Sequence, residues 1–178
     1  MDTGEGAHRL VLVRHAKAEA YAASDFERAL TDRGRADAGA LGALLREQGI
    51  VPDAAFVSAA RRALETWEAL TAAAGWDLEA QVDRSLYAAD EDSVLDALAM
   101  TDELLTTAVV VGHNPTIALL AQLLDDGHGA PEAVAGLTAG YPTSAATVFE
   151  LRCPWREVTP GCGRLVAFHV GRADAPGA

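Results

Sequence analysis

Basic residues are scarce in this chain, and lysine is almost missing. The 178 residues include 26 acidic but only 14 basic side chains, which gives a formal net charge of −12. Proteins that bind the phosphate backbone of nucleic acids normally present a basic surface, so we expect no nucleic-acid partner. The sequence also has no run of about eighteen apolar residues that could cross a membrane, and no apolar signal segment near its start. These absences predict a cytoplasmic protein without a membrane partner.

Cysteine is rare as well, since Cys153 and Cys162 are the two examples in the chain. Free thiols are expected inside a cell, where cysteines are kept reduced, although the sequence leaves open whether these two pair. They form no pattern of metal ligands, and no two histidines are spaced one helical turn apart as in many zinc sites. We therefore expect neither a metal nor another cofactor.

Motifs of several enzyme classes are also missing. No Gly-x-Gly-x-x-Gly follows a strand and no Gly-x-x-x-x-Gly-Lys-Ser/Thr loop is present, which excludes both common nucleotide-binding classes. The Cys-x5-Arg loop of cysteine phosphatases and the Gly-x-Ser-x-Gly turn of serine hydrolases are absent too. Histidine and arginine remain as the residues that can carry chemistry.

The most informative segment of the chain is Leu10–His15, which reads Leu-Val-Leu-Val-Arg-His and contains two of these residues. A short apolar run of this kind is typical of a buried strand, and it ends abruptly in Arg14 and His15. Ligands of α/β folds bind beyond the carboxyl ends of the strands, so a fixed cation and a nucleophilic imidazole are predicted at that edge. An ordinary polar turn is the alternative, and Arg14 and His15 alone do not exclude it.

Two further segments repeat this arrangement. Val109–Pro115 reads Val-Val-Val-Gly-His-Asn-Pro and predicts His113 at a strand-to-helix junction, with Asn114 as the N-cap and Pro115 as the first helical residue. Such a junction offers free backbone N–H groups to an anion. Phe56–Trp67 predicts a strand and then a helix whose first turn carries two arginines, at 61 and 62. Arginine is disfavoured there by the helix dipole, which indicates that the pair binds a ligand, and solvated surface arginines are the alternative.

The hydrophobic pattern predicts a single α/β domain. Half of the residues are apolar, enough for a packed core. Strand-like and helix-like runs alternate, which favours a mostly parallel sheet with helices on both faces, that is, a three-layer sandwich. We place the domain at 9–171 between flexible tails at 1–8 and 172–178, and expect a long loop at 125–143 that borders the site. The predicted strands lie near 9–13, 54–57, 107–112, 145–151 and 164–170, and the predicted helices near 32–48, 59–74, 91–100 and 115–124.

Taken together, these segments resemble the histidine phosphatase superfamily, the phosphoglycerate-mutase-like fold, and most of all its small SixA type. Arg-His-Ala at 14–16 is similar to the family's Arg-His-Gly motif. Ser-x-x-x-Arg-Ala-x-x-Thr at 58–66 is similar to the second motif and selects Arg62 over Arg61. Gly-His-Asn-Pro at 112–115 is similar to the third motif. The segment 25–34 resembles the stretch that follows the first motif in the SixA type, which makes Arg28 a further candidate.

The resemblance implies a metal-independent phosphatase in which neutral His15 attacks a phosphoryl group and forms a phosphohistidine intermediate. Arg14, Arg62 and His113 would hold the phosphoryl oxygens, and Arg28 would bind the substrate. Nearby arginines should lower the pKa of His15 and keep it unprotonated. The chain also looks too short for a deep small-molecule site, so we expect a shallow pocket and a phosphorylated protein as the partner.

The general acid is the step that the sequence leaves open. Larger family members carry a glutamate between the second and third motifs, whereas this chain offers Asp90 or Glu91, and Asp90 is favoured as a helix N-cap. The imidazole of phosphohistidine leaves more readily than an alkoxide without an acid, so phosphohistidine in a protein is the predicted substrate. A phosphatase for small phosphomonoesters is the alternative, and a non-catalytic phosphate-recognition module is a third possibility. The oligomeric state is left open.

Overall fold

A computed structural model of the chain describes residues 8–174. Within that range a six-stranded sheet has the order β3-β2-β4-β1-β5-β6. Strands β1 to β4 run parallel to one another, and β5 is antiparallel to both of its neighbours, β1 and β6. The strands are β1 Arg9–Arg14, β2 Ala54–Ser58, β3 Gln81–Asp83, β4 Thr107–Gly112, β5 Ala145–Leu151 and β6 Gly163–Val170. The helices are α1 Asp32–Glu47, α2 Arg61–Ala74, α3 Glu91–Ala99, α4 Thr116–Leu124 and α5 Pro131–Ala139.

The sheet separates two hydrophobic cores, because successive side chains of a strand point to opposite faces. Leu10 and Leu12 of β1 belong to the core that α3, α4 and α5 cover. Val11 and Val13 belong to the core that α1 and α2 cover. All four side chains are fully buried. Helices on both faces of a mostly parallel sheet confirm the predicted three-layer α/β sandwich.

The predicted strands and helices are confirmed to within about two residues at their ends. Thr31 caps α1 as its side chain accepts a hydrogen bond from the backbone N–H of Gly34, and Gly75 ends α2 in the left-handed conformation with φ 71°. The predicted start of α4 is wrong by one residue. Asn114 does not cap the helix, because its side-chain amide donates to the carbonyl of Tyr141 instead, and Pro115 takes the cap position.

Two elements were not predicted. The three-residue strand β3 at Gln81–Asp83 is exposed throughout and therefore has no apolar pattern. The expected long loop at 125–143 contains α5, which begins with Pro131 at its first turn. Its many small residues gave no clear helical period, but Gly136 lets the helix lie directly against the ring of Phe168 in β6. The loop prediction is wrong for residues 131–139.

The domain boundaries stay a prediction, because most of both predicted tails lies outside the described residues. At the edges that are described, His8 contacts Glu103 across 3.1 Å and the backbone N–H of Ala173 donates to Asp37. None of the helices within 8–174 is long and apolar enough to span a membrane.

The topology brings the carboxyl ends of β1, β2 and β4 to one edge of the sheet. The chain after β1 then runs close over the start of α1, where Thr31 donates its backbone N–H to the carbonyl of Lys17. A Cβ on Gly34 would overlap that same carbonyl oxygen, so the close approach requires glycine. This packing fixes the loop that borders the site.

Candidate active site

His15 follows β1 directly and is buried. Its backbone N–H donates to the carbonyl of Gly112 in the neighbouring strand β4, which holds the residue against the sheet edge. The ring Nδ1 lies 2.7 Å from the carbonyl oxygen of Ala16, a group that can only accept a hydrogen bond. Nδ1 therefore carries the proton in the neutral ring, and the lone pair is on Nε2.

Arg62 lies beside that lone pair. Its Nε donates to His15 Nε2 at 3.3 Å, and the arginine side chain is only 7% exposed. Thr66, one turn further along α2, accepts from the backbone N–H of Ala16 at 2.9 Å and donates to the carbonyl of Arg62 at 2.6 Å. The motif threonine thus joins the loop after β1 to the helix that presents the arginine.

His113 stands at the end of β4 on the other side of His15. The two imidazole rings are 5.1 Å apart between centroids. His113 Nε2 and the hydroxyl oxygen of Ser58, the last residue of β2, are 2.7 Å apart. Tyr87 presents an edge-to-face contact to the His113 ring at 5.7 Å. Ser58 therefore fixes the second histidine just as Thr66 fixes the first.

Arg14 reaches the same region from the last position of β1. Its guanidinium donates to the carbonyl of Tyr141 at 2.8 Å, and Asn114 donates to the same carbonyl at 3.0 Å. Burial lowers the pKa of Arg14. The segment after α5 thus does border the site, through Tyr141. Its buried hydroxyl donates to the carbonyl of Leu12 and anchors it to β1.

Both histidines are held in the neutral form. Burial, with smaller contributions from the neighbouring His113, Arg62 and Arg14, lowers the pKa of His15 to about 3. The hydrogen bond to Ala16 acts in the opposite direction but does not outweigh burial. Burial and then Arg62 lower the pKa of His113 to about 4. At neutral pH His15 can act as a nucleophile and His113 as an uncharged hydrogen-bond donor or acceptor.

The fifth predicted residue, Arg28, lies at the outer side of the site. Its Nε donates to the carboxylate of Asp25 at 2.9 Å, and Arg62 also contacts that carboxylate, at 3.1 Å. Asp25 was not among the predicted site residues, because an acidic side chain gives no sequence signal for an anion-binding region. Arg61 points elsewhere, as expected for a neighbour on a helix, and pairs with Glu65 at 2.8 Å.

Asp90 is the N-cap of α3, which confirms the favoured prediction. Its carboxylate accepts from the backbone N–H of Ser93 at 2.9 Å and from the Ser93 hydroxyl at 2.6 Å. These bonds lower the pKa of Asp90, so the side chain is an anion and not a proton donor.

A cavity of about 370 Å³ opens beside His113. Its floor is apolar, with Val94 and Ile117 among the buried residues, and its rim includes Tyr87 and Glu91. Pockets for small organic ligands begin at about this size. The segment 86–91 and the start of α4 line this cavity, whereas His15, Arg14 and Arg62 do not, so the expected shallow pocket at the nucleophile stays a prediction.

In the described part of the chain, no three His, Cys, Asp or Glu side chains gather where they could hold a metal ion. Cys153 and Cys162 are free thiols away from the sheet edge. The site brings together two neutral imidazoles and three arginines. His15, Arg14 and His113 lie at the carboxyl ends of β1 and β4, whereas Arg62 comes from the first turn of α2 and Arg28 from the segment between β1 and α1. Such an arrangement is suited to phosphoryl transfer through histidine.

Comparisons with known proteins agree with this chemistry. The family model described as histidine phosphatase superfamily (branch 1) matches residues 10–90. An uncharacterized protein of Mycobacterium tuberculosis is 37% identical over 163 residues, which cover 90% of this chain and all of the relative. The chain belongs to the histidine phosphatase superfamily and is a phosphatase.

Two solved structures indicate the type within the superfamily to which the chain is similar. A candidate phosphohistidine phosphatase, SixA, from Nakamurella multipartitia is 27% identical with a TM-score of 0.82, over 93% of this chain and 97% of that one. A second candidate SixA, from Agrobacterium tumefaciens, is 28% identical with a TM-score of 0.76, over 93% and 99% of the two chains. Within the superfamily the chain is of the SixA type.

Proposed function

We propose that this chain removes phosphate from phosphohistidine in a cytoplasmic protein, with His15 as the nucleophile. The observation that carries the proposal is the hydrogen bond from His15 Nδ1 to the carbonyl of Ala16. It leaves the lone pair on Nε2, where it accepts from Arg62 Nε, and the His113 ring lies 5.1 Å from the His15 ring between centroids. Pure phosphate binding does not need a neutral, oriented imidazole, so this geometry speaks against a non-catalytic recognition module.

The first step is an in-line attack of His15 Nε2 on phosphorus. The new N–P bond forms as the bond from phosphorus to the leaving nitrogen breaks, and the departing imidazole keeps the electron pair. Arg14 and Arg62 donate N–H groups to the phosphoryl oxygens, and His113 bonds to them as a neutral group. Arg28 lies where it can bind the same anion from outside. Fixed donors aimed at developing charge are usually the largest source of rate enhancement in such reactions.

In the second step water attacks the phosphohistidine on His15. The P–N bond breaks, phosphate leaves, and the electron pair returns to Nε2. Because the pKa of His15 is about 3, Nε2 stays unprotonated at neutral pH, and the neutral ring is ready for the next cycle. The residues that hold the phosphoryl group are the same in both steps.

The state of Asp90 favours phosphohistidine as the substrate. Asp90 is committed to the cap of α3 as an anion, so it has no proton to give. An alkoxide is a poor leaving group without a donor, whereas an imidazole can take its proton from solvent. A phosphoramidate substrate therefore asks less of this site than an alkyl phosphate does.

A small phosphate ester is the second candidate, and the 370 Å³ cavity beside His113 is the observation that favours it. Glu91 at the rim is the remaining carboxylate that could reach a leaving oxygen. A comparison of kcat/KM for a phosphohistidine protein, free phosphohistidine and a panel of phosphate esters separates the two candidates. If Glu91→Gln or Asp90→Asn lowers ester hydrolysis a hundredfold or more and leaves phosphohistidine hydrolysis unchanged, the small-molecule function takes precedence.

Trapping of the covalent intermediate tests the proposed chemistry. After rapid denaturation with a ³²P-labelled substrate, we expect base-stable, acid-labile label on His15, and neither label nor turnover in His15→Ala. Arg61→Ala serves as the matched control, since Arg61 contacts Glu65 and not the site. EDTA should not lower the rate. Label on another residue, or a rate that EDTA abolishes and a divalent metal restores, would contradict the mechanism.

A further inference from the structure

Asp25 lies at the outer side of the site and contacts two of its arginines. Its carboxylate accepts hydrogen bonds from Arg28 Nε at 2.9 Å, from the Arg62 terminal nitrogen Nη2 at 3.1 Å and from the Tyr87 hydroxyl at 2.6 Å. Its backbone carbonyl accepts from the other terminal nitrogen of Arg62, Nη1, at 2.8 Å. The side chain is 52% exposed, so water could solvate the carboxylate, and burial does not force it to make these hydrogen bonds.

The contacts occupy one particular side of the Arg62 guanidinium. A guanidinium has five N–H groups in a rigid plane, and Asp25 takes one from each of the two terminal nitrogens. The Nε–H on the inner edge points at His15 Nε2. Asp25 thus holds the outer end of the group and leaves the inner edge, Nε and the second hydrogen of Nη2, directed toward the nucleophile. That edge matches the bidentate geometry in which arginine binds phosphate.

Asp25 itself is fixed by packing on both sides of the site. It opens the 3-10 turn Asp25–Glu27, whose next residue, Phe26, packs edge-to-face on Tyr87 at 5.1 Å. The guanidinium of Arg84 lies 4.6 Å from the centre of the Phe26 ring. Two segments 60 residues apart in sequence therefore fix the carboxylate, and a carboxylate so held can fix an arginine in turn.

The charges of the site are consistent with a carboxylate that holds Arg62 in place. Hydrogen bonds from Tyr87 and Arg28 keep the pKa of Asp25 well below its usual range, so it is an anion at any working pH. With Arg14, Arg28 and Arg62 the site holds three positive charges, and the carboxylate reduces them to two. A phosphoryl group carries between one and a half and two negative charges near neutral pH.

We propose that Asp25 is a positioning residue that holds Arg62 in register with His15, so that the arginine binds the phosphoryl group as it is transferred. The inference rests on the proposed function of the site. Asp25 does not touch the phosphoryl group; it acts through Arg62.

A competing role for Asp25 predicts an effect of opposite sign on oxyanion binding, so an experiment can distinguish the two roles. A carboxylate that merely competes with phosphate for Arg28 and Arg62 would weaken oxyanion binding, and its removal would tighten it. Under the positioning role, Asp25→Asn should weaken inhibition by orthovanadate, which adopts the five-coordinate geometry of transfer, by about 10- to 100-fold. This is the range for loss of one charge-assisted hydrogen bond. Inhibition by inorganic phosphate should weaken less, and kcat should fall more than KM rises.

Glu27→Gln is the matched control, since it removes the same charge from the same turn and Glu27 is exposed. It should leave vanadate inhibition unchanged. In an Arg62→Gln background, vanadate binding measured by calorimetry should be insensitive to Asp25→Asn, because the residue acts through the arginine. If Asp25→Asn lowered stability, Tyr87→Phe, which removes one donor to the carboxylate, should still weaken vanadate inhibition severalfold.

Three results would overturn the inference: tighter vanadate binding in Asp25→Asn, equal effects of Asp25→Asn and Glu27→Gln, or an undiminished effect of Asp25→Asn without Arg62. The trapped label on His15 of the unaltered enzyme separates this failure from that of the proposed function. A labelled enzyme with an unaffected Asp25→Asn variant refutes only the positioning role, whereas an unlabelled one refutes the function as well.

Discussion

Acidification from pH 7 to pH 5 is expected to leave His15 uncharged in the folded protein. Protonation of Nε2 would remove the lone pair that attacks phosphorus in the proposed mechanism, so that mechanism requires the neutral ring. The ring is enclosed at the sheet edge, with Arg62 and Arg14 as its nearest positive charges. A proton on Nε2 would have to be accommodated without solvent and against those charges.

The structure gives the size of the effect. An ordinary histidine titrates near 6.5, so at pH 5 only about 3% of it would be neutral. With the pKa of His15 at about 3, about 99% of the ring is neutral at the same pH. The nucleophilic form is thus about thirtyfold more abundant than in an exposed histidine. The acid limb that His15 contributes to the profile of kcat/KM should lie near pH 3 to 4.

NMR titration of the imidazole Cε1–H resonances measures this directly and does not depend on the ionisation of the substrate. The His15 resonance is assigned from its loss in His15→Gln, and the same titration in urea provides the unfolded reference. An aryl phosphate serves for the kinetic profile, because phosphohistidine decays in acid. A His15 resonance that titrates near pH 6.5 in the folded protein would refute the reasoning.

The lowered pKa of His15 also makes the stability of the folded protein depend on pH. Because the folded pKa of His15 is lowered, the unfolded chain binds its proton more readily between about pH 6.5 and pH 3. Acid therefore favours unfolding across that window. The contribution of neutral His15 to the free energy of unfolding is complete only above pH 6.5. Each unit of pH costs up to about 1.4 kcal/mol for one such group.

Other substitutions test separate parts of the structure. Arg62→Ala should lower kcat by about 10²–10³, the usual loss for one donor to a developing anion, whereas Arg61→Ala should leave kcat near that of the unaltered enzyme in the same assay. Gly34→Ala should lower the free energy of unfolding by about 1–3 kcal/mol in urea denaturation, because its Cβ would overlap the carbonyl of Lys17. Tyr141→Phe should cost about 1–3 kcal/mol by the same measurement, because it leaves buried hydrogen-bonding groups without their partner. An unchanged unfolding curve for either variant would contradict the packing described here.

The strands and their ends could be predicted from sequence because the signal there is local. A buried parallel strand reads as a continuous apolar run, and a polar residue straight after it has few places to go other than the sheet edge. That local rule was enough to select His15 and His113 and to expect them near each other. Arg62 was separated from its neighbour Arg61 by the resemblance to the family's second motif, and one helical step accounts for Arg61 pointing elsewhere.

The residues that the sequence did not reveal act through distant partners. Asp25 acquires its place from Arg62 and Tyr87, which are 37 and 62 positions away. Tyr141 follows a helix that was predicted as a loop, and it contacts Arg14 across 127 positions. No periodicity or cap signal encodes such contacts, because they exist only once the loops pack over the sheet edge.

The hydrogen bond between His15 Nδ1 and Ala16 also decides which isomer the proposed intermediate has. With Nδ1 committed to a backbone carbonyl, the phosphoryl group can be carried only on Nε2, as the tele isomer of phosphohistidine. The pros isomer, substituted on Nδ1, would require the ring to break that bond and turn over inside a buried site. Reagents that distinguish the two isomers should therefore detect only the tele isomer on the phosphorylated enzyme.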